Sequence, residues 1–182
     1  MASIGHLAVG AAIGALYSRQ SGSNPKLTIL AFAGLAVAPD LDLVTGLWGV
    51  PPNTPLSHRG ITHSIFIALA LGGLVAALFR GSGSRRLLLG SVVSATFASH
   101  GLLDTMSQLG NGPMLFWPFS TMSYEFLWRP IPGVLNAGHY LTLQAVPTLL
   151  METIIFLPLI AYAFLTFFPQ RVEKGPAEDA IS

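Results

Sequence analysis

Cysteine is absent from this sequence, and charge is scarce. Without thiols there is no disulfide and no thiolate ligand, so any metal would have to be held through nitrogen and oxygen. Only 9% of the 182 residues are charged, whereas soluble domains carry about a quarter. A surface made from such a chain cannot be meant chiefly for water. The formal net charge of +1 leaves no electrostatic footprint for a nucleic-acid partner. Internal repeats and low-complexity tracts are missing too. What is abundant is apolar: 52% of residues are hydrophobic and the mean hydropathy is +0.62, which points to an integral membrane protein.

Five apolar segments stand out, at 4–18, 27–43, 61–80, 86–107 and 139–168. They are separated by Ser21-Gly22-Ser23-Asn24-Pro25, by a turn-rich stretch with Pro51, Pro52 and Pro55, by Gly81-Ser82-Gly83-Ser84, and by a long segment over 110–138. The expected fold is all-α, a polytopic transmembrane bundle of about five helices. Residues 1–170 would form one membrane-embedded domain and 171–182 a polar cytoplasmic tail. The first segment lacks a basic leader, and its positive charge, Arg19, follows the apolar run; it is expected to stay as a helix rather than be cleaved as a signal peptide.

Basic residues orient the bundle. With the N-terminus outside, Arg19, Lys26, Arg80, Arg85, Arg86, Arg171 and Lys174 lie at the inner ends, against Arg59 and Arg129 outside. That bias predicts N-out and C-in, in a bacterial or archaeal cytoplasmic membrane. At about 1.5 Å per helical residue, His6, Asp40, His63, His100 and Glu152 all fall roughly 20–25 Å from the inner ends of their segments. An ionisable group inside a membrane is costly and rarely idle, so a polar layer toward the outer face is a candidate site.

Three stretches supply its chemistry. His100 and Asp104, four residues apart, project from one helical face and can reach the same ion or neighbouring ions. Asp40 and Asp42 follow Pro39, which removes a backbone N–H and loosens the helix, and two close carboxylates in apolar surroundings call for a cation. Ser57-His58-Arg59-Gly60-Ile61-Thr62-His63-Ser64 puts two histidines, an arginine and three hydroxyls at a helix entrance, where Thr62 could act as the cap and Arg59 could grip a phosphate oxygen. His6 alone is more often a satisfied core histidine than a ligand, His139 sits at a loop–helix junction, and Glu152 is a mid-membrane carboxylate that needs a partner. The 110–138 segment, with Phe116, Trp117, Phe119, Tyr124, Phe126 and Trp128, is expected to lie in the headgroup layer over the site, as a lid or as an anchor.

Together Gly5-His6, Pro39-Asp40-Leu41-Asp42, His58-Arg59-Gly60-Ile61-Thr62-His63-Ser64, Ser99-His100-Gly101-Leu102-Leu103-Asp104-Thr105 and Trp117-Pro118 resemble the YdjM-like family of predicted inner-membrane metal-dependent hydrolases. That family is held to be distantly similar to zinc-dependent phospholipase C and related nucleases, which cleave phosphate esters at a cluster of zinc ions. The resemblance implies that His6, Asp40, His63, His100 and Asp104 are metal ligands and that Asp42, His58 and Arg59 orient them or take part in the chemistry. One departure is that Thr148 stands one turn before Glu152, where phospholipase C-like enzymes carry a histidine. The implied centre is therefore one or two divalent ions, zinc foremost, rather than three.

The expected activity is hydrolysis of a phosphoester or other ester in a membrane lipid or lipid-linked substrate by a metal-activated water. Asp42 or Glu152 would accept the proton, and Arg59 would stabilise charge on phosphate oxygens. A transporter or ion-conducting protein using the same polar layer is the alternative, as is a non-catalytic membrane scaffold. Transport would need a polar path to the inner face, yet the inner halves of the segments are almost wholly apolar. The oligomeric state is left open.

Overall fold

The structure is a computed structural model that describes residues 3–108, 110–133 and 142–168. Helix α1 spans Ser3–Ser21 and α2 spans Pro25–Val37; the chain then tightens into a 3-10 segment, Ala38–Leu43, and a single turn, α3, Val44–Leu47. After a 3-10 turn at Ile61–His63 come α4, Ile65–Leu78, and α5, Gly83–Thr105; a last 3-10 turn, Leu143–Ala145, leads into α6, Val146–Phe167. The fold is all-helical, with five long helices and no strand among the described residues.

Local chemistry explains several boundaries. Pro25 opens α2 where its missing N–H costs nothing, and the Asn24 side chain accepts from the N–H groups of Lys26 and Leu27. Thr62 is not the cap of the next long helix. That role falls to Ser64, whose hydroxyl accepts from Phe66 N at 3.1 Å, because Ile61–His63 is wound as a separate 3-10 turn. The last helix starts at Val146 rather than 139, and His139 and the 171–182 tail lie outside the described residues.

Helix α1 is the hub, packing on α2, α6 and α5, while α4 packs on α5. Its sequence suits that place. Ala8, Ala12 and Ala15 are buried, and a Cβ at Gly10 or Gly14 would run into the α2 backbone at Phe32 or Thr28. Small residues let two backbones approach closely where lipid supplies no hydrophobic drive for association. Outward faces are apolar instead, with Leu30, Leu69, Leu87, Ile154 and Leu165 each more than half exposed. Pro25–Leu47, Gly83–Thr105 and Val146–Phe167 are long and apolar enough to cross a membrane, and Ile65–Leu78 is a shorter apolar helix.

The segment after α5 is fastened down. Ile131 fills the space between Ala8 of α1 and Phe156 of α6, and its backbone bonds Met106 and Gln108. Met114 N bonds Arg59 O, Ile65 N bonds Leu115 O and Phe126 N bonds Thr105 O. The 110–133 stretch thus forms a wall on the His58–Ser64 loop and the end of α5.

Candidate metal centre

Four elements bring their polar ends together. His6 comes from the first turn of α1, Asp40 and Asp42 from the 3-10 segment after α2, His58, Arg59 and His63 from the following loop and turn, and His100 and Asp104 from one face of α5. Ending α2 at Val37 matters: the tighter winding past Pro39 gives Asp40 and Asp42 separate tasks. Gly101 admits the turn that carries His63, since a Cβ there would press on His63 O.

All five residues expected as ligands, His6, Asp40, His63, His100 and Asp104, meet. His6 Nε2 lies 3.5 Å from Asp104 Oδ1. His100 Nε2 is 3.2 Å from Asp40 Oδ1 and 3.9 Å from Asp104 Oδ2. His63 Nε2 is 3.5 Å from Asp104 Oδ2 and 3.9 Å from Asp40 Oδ1. The His6 and His100 rings stack with centroids 3.7 Å apart. His58 joins this set instead of standing behind it: with Asp40 and His63 it forms one of three groups whose ligand atoms lie within 4.8 Å of one another. The others are His6–Asp40–His100 and His63–His100–Asp104.

The donor set fits a divalent cation. His100 Nδ1 is 2.7 Å from the Ala36 carbonyl oxygen, so Nδ1 carries the proton and Nε2 presents a lone pair. That lone pair faces carboxylate oxygens, acceptor against acceptor. His63 repeats the pattern: Nδ1 lies 2.9 Å from Thr62 Oγ1 and 3.3 Å from Asp42 Oδ2, leaving Nε2 toward Asp104 and Asp40. His63 Nε2, His100 Nε2 and His6 Nδ1 are buried and make no hydrogen bond. A second proton on each ring would relieve the repulsion, and a cation between the groups would relieve several pairs at once. Two ligands about 2.0–2.1 Å from one tetrahedral ion stand about 3.3 Å apart, close to the separations found here. Three carboxylates, Asp40, Asp42 and Asp104, surround His63, and the Arg59 guanidinium meets one of them, Asp104. With neutral imidazoles the site has a surplus of negative charge that a divalent ion would neutralise. At His63, which lies in the turn ahead of α4, burial lowers the imidazole pKa, but Asp104 and Asp42 outweigh it and hold it above the ordinary value.

Asp42, Arg59 and Glu152 have partners that the sequence did not indicate. Asp42 is engaged through both oxygens, Oδ1 with His58 Nδ1 at 2.7 Å and Oδ2 with Arg59 N at 3.2 Å and the Thr62 hydroxyl. A carboxylate so committed suits positioning better than proton transfer, and a carboxylate behind a ligating histidine fixes its tautomer and direction. Arg59, in left-handed backbone at φ 69°, places Nε 3.2 Å from Asp104 Oδ2 and donates from Nη1 to Asn111 O at 2.5 Å. It ties the aromatic wall to the cluster. Glu152 is fully buried and accepts from Gly5 N at 3.3 Å, one residue from His6, a favourable place for a carboxylate at the start of a helix. Sequence reasoning missed the Ala36 carbonyl and Thr62 as partners of the histidines. Neither leaves a signal in residue type, since one is backbone and the other an ordinary hydroxyl.

Residues 1–172 match the model of the YdjM inner membrane protein family. The inner membrane protein YbcI of Escherichia coli strain K12 is 35% identical over 107 residues, a stretch covering 56% of this chain and 61% of that protein. No solved structure matches. The chain belongs to the YdjM inner membrane protein family.

Proposed function

We propose that this inner-membrane protein is a metal-dependent hydrolase acting on a phosphoester or other ester of a lipid or lipid-linked molecule, with its site toward the outer face. The observation that carries the reading is the buried set of imidazole lone pairs facing carboxylates at one end of an apolar bundle. Such a cluster is expensive to place in a membrane unless it binds something.

His6, Asp40, His63, His100 and Asp104 would hold the ion, with zinc the leading candidate and His58 at the open edge. A divalent ion there would supply Lewis acidity and make water a competent nucleophile near neutral pH. The chain's own residues do the rest. Asp42 holds His58 and His63 in register, and Arg59 brings positive charge to the side of Asp104 where phosphate oxygens would develop charge. With Asp42 occupied, Glu152 keeps the role of proton acceptor in this reading. The exposed apolar groups near this end, Leu47 at 85%, Trp48 at 74%, Phe119 at 79% and Trp128 at 70%, suit a headgroup layer from which a lipid headgroup could enter sideways.

The test is turnover. Purified protein in detergent should cleave at least one member of a panel of phospholipids, lipid-linked phosphates and simple phosphodiesters, lose that activity with chelator and regain it with zinc. Glu152→Gln should lower turnover and leave bound metal unchanged. Uptake of labelled ions into proteoliposomes with no ester cleavage would overturn the reading.

A further inference from the structure

We propose that the cluster is built for two ions in unequal positions, an enclosed one and an open one, bridged by Asp40; this rests on the metal reading above. Six side chains offer ligand atoms, and zinc is content with four. They fall into three overlapping triads rather than one shell. The four rings run in a row: His6 stacks on His100, His100 meets His63 edge-on at 4.7 Å, and His63 meets His58 edge-on at 5.4 Å. His6 and His58 stand at opposite ends and share no triad. One point cannot serve both ends of that row.

Both carboxylates reach along that row. Asp40 Oδ1 reaches along the row, 3.2 Å from His100 Nε2, 3.9 Å from His63 Nε2 and 4.0 Å from His58 Nδ1. Asp104 turns Oδ1 to His6 and Oδ2 to His63 and His100. His6 and His100, with Asp40, define an inner position, and Asp104 stands between it and His63. His58 and His63, with Asp40, define an outer one. Solvent access separates the two ends of the row: the His6 side chain is 1% exposed and that of His58 35%, with His63 and His100 buried between them. The inner ion ties α1, the end of α2 and α5 together and exchanges slowly. The outer ion exchanges readily and is the one a substrate meets first. Asp42 serves the outer position by holding both of its rings, with Oδ1 on His58 Nδ1 and Oδ2 near His63 Nδ1.

The test uses the full chain in detergent, loaded with zinc or manganese alone. Elemental analysis at saturation should find two ions per chain in the native protein and one in His58→Ala. The manganese-loaded native protein should give the exchange-coupled electron paramagnetic resonance spectrum of ions about 3.5–4 Å apart, as in two-metal sites, and His58→Ala should give the spectrum of an isolated ion. A chelator should remove one ion at least tenfold faster than the other. Saturation at a single ion, or an uncoupled spectrum at full loading, overturns the proposal from the native protein alone and leaves the single-metal hydrolase reading standing. Two ions retained in His58→Ala overturn it as well. No ion bound at all overturns both readings together.

Discussion

At the scale of single residues, Asp42 separates ligand from support. Its two oxygens serve His58, the Arg59 backbone and Thr62, and so set where His58 and His63 can point. Asp42→Asn keeps the shape but loses acceptor capacity, and metal affinity should fall about 10- to 100-fold, as is usual for the partner behind a ligand; competition with a calibrated chelator measures it, and unchanged affinity would contradict the assignment. Glu152 joins α6 to the first turn of α1 through Gly5 N. Glu152→Leu removes the acceptor for a buried N–H and should cost about 1–3 kcal/mol, seen as a lower unfolding midpoint in detergent. The residue types themselves were legible in the sequence, because histidine and aspartate at the ends of apolar segments have few explanations. The pairings were not. That Arg59 lies against Asp104, and that His58 enters a ligand triad, depends on the path of a loop whose turns are set by tertiary contacts such as Met114 N to Arg59 O.

Helices show a similar division. The spacing of His100 and Asp104 placed both on one face, and Pro39 marked where regular winding would change; both hold in the structure. Helix starts were less legible. The third apolar segment starts at 61 by sequence, yet Asp42 holds the Thr62 hydroxyl and Ile61–His63 winds as a separate turn ahead of α4. Close packing was invisible too, because two adjacent glycines in α4 look alike in sequence. A Cβ at Gly72 would collide with Gly90 O and Ser94 Oγ of α5, whereas one at Gly73 meets nothing within 4 Å. Gly72→Ala should therefore destabilise the protein by about 1–3 kcal/mol through overpacking, and Gly73→Ala should be neutral or gain up to about 1 kcal/mol in helix propensity. Thermal unfolding of the pair checks this, and equal effects would show that α4 and α5 do not approach as described.

For the whole molecule, the polar groups are gathered at one end of a bundle whose outer surface is apolar, and the metal reading makes that end both the site and a fastening. Helices α1 and α5, with the segment that follows α2, converge there through residues that repel one another without a cation. An ion bound only by the folded state stabilises it by mass action, about 2.7 kcal/mol at a hundredfold excess over the dissociation constant. Zinc should accordingly raise the unfolding temperature of the native protein and raise that of His100→Ala much less; a shift of equal size in both would mean binding elsewhere. The most direct measurement is the metal content of the purified protein by elemental analysis, beside His63→Ala and Asp104→Ala. The account predicts at least one equivalent of a divalent metal in the native protein and a clear loss in both variants. Sub-stoichiometric zinc, manganese and iron, unchanged by either substitution, would contradict it.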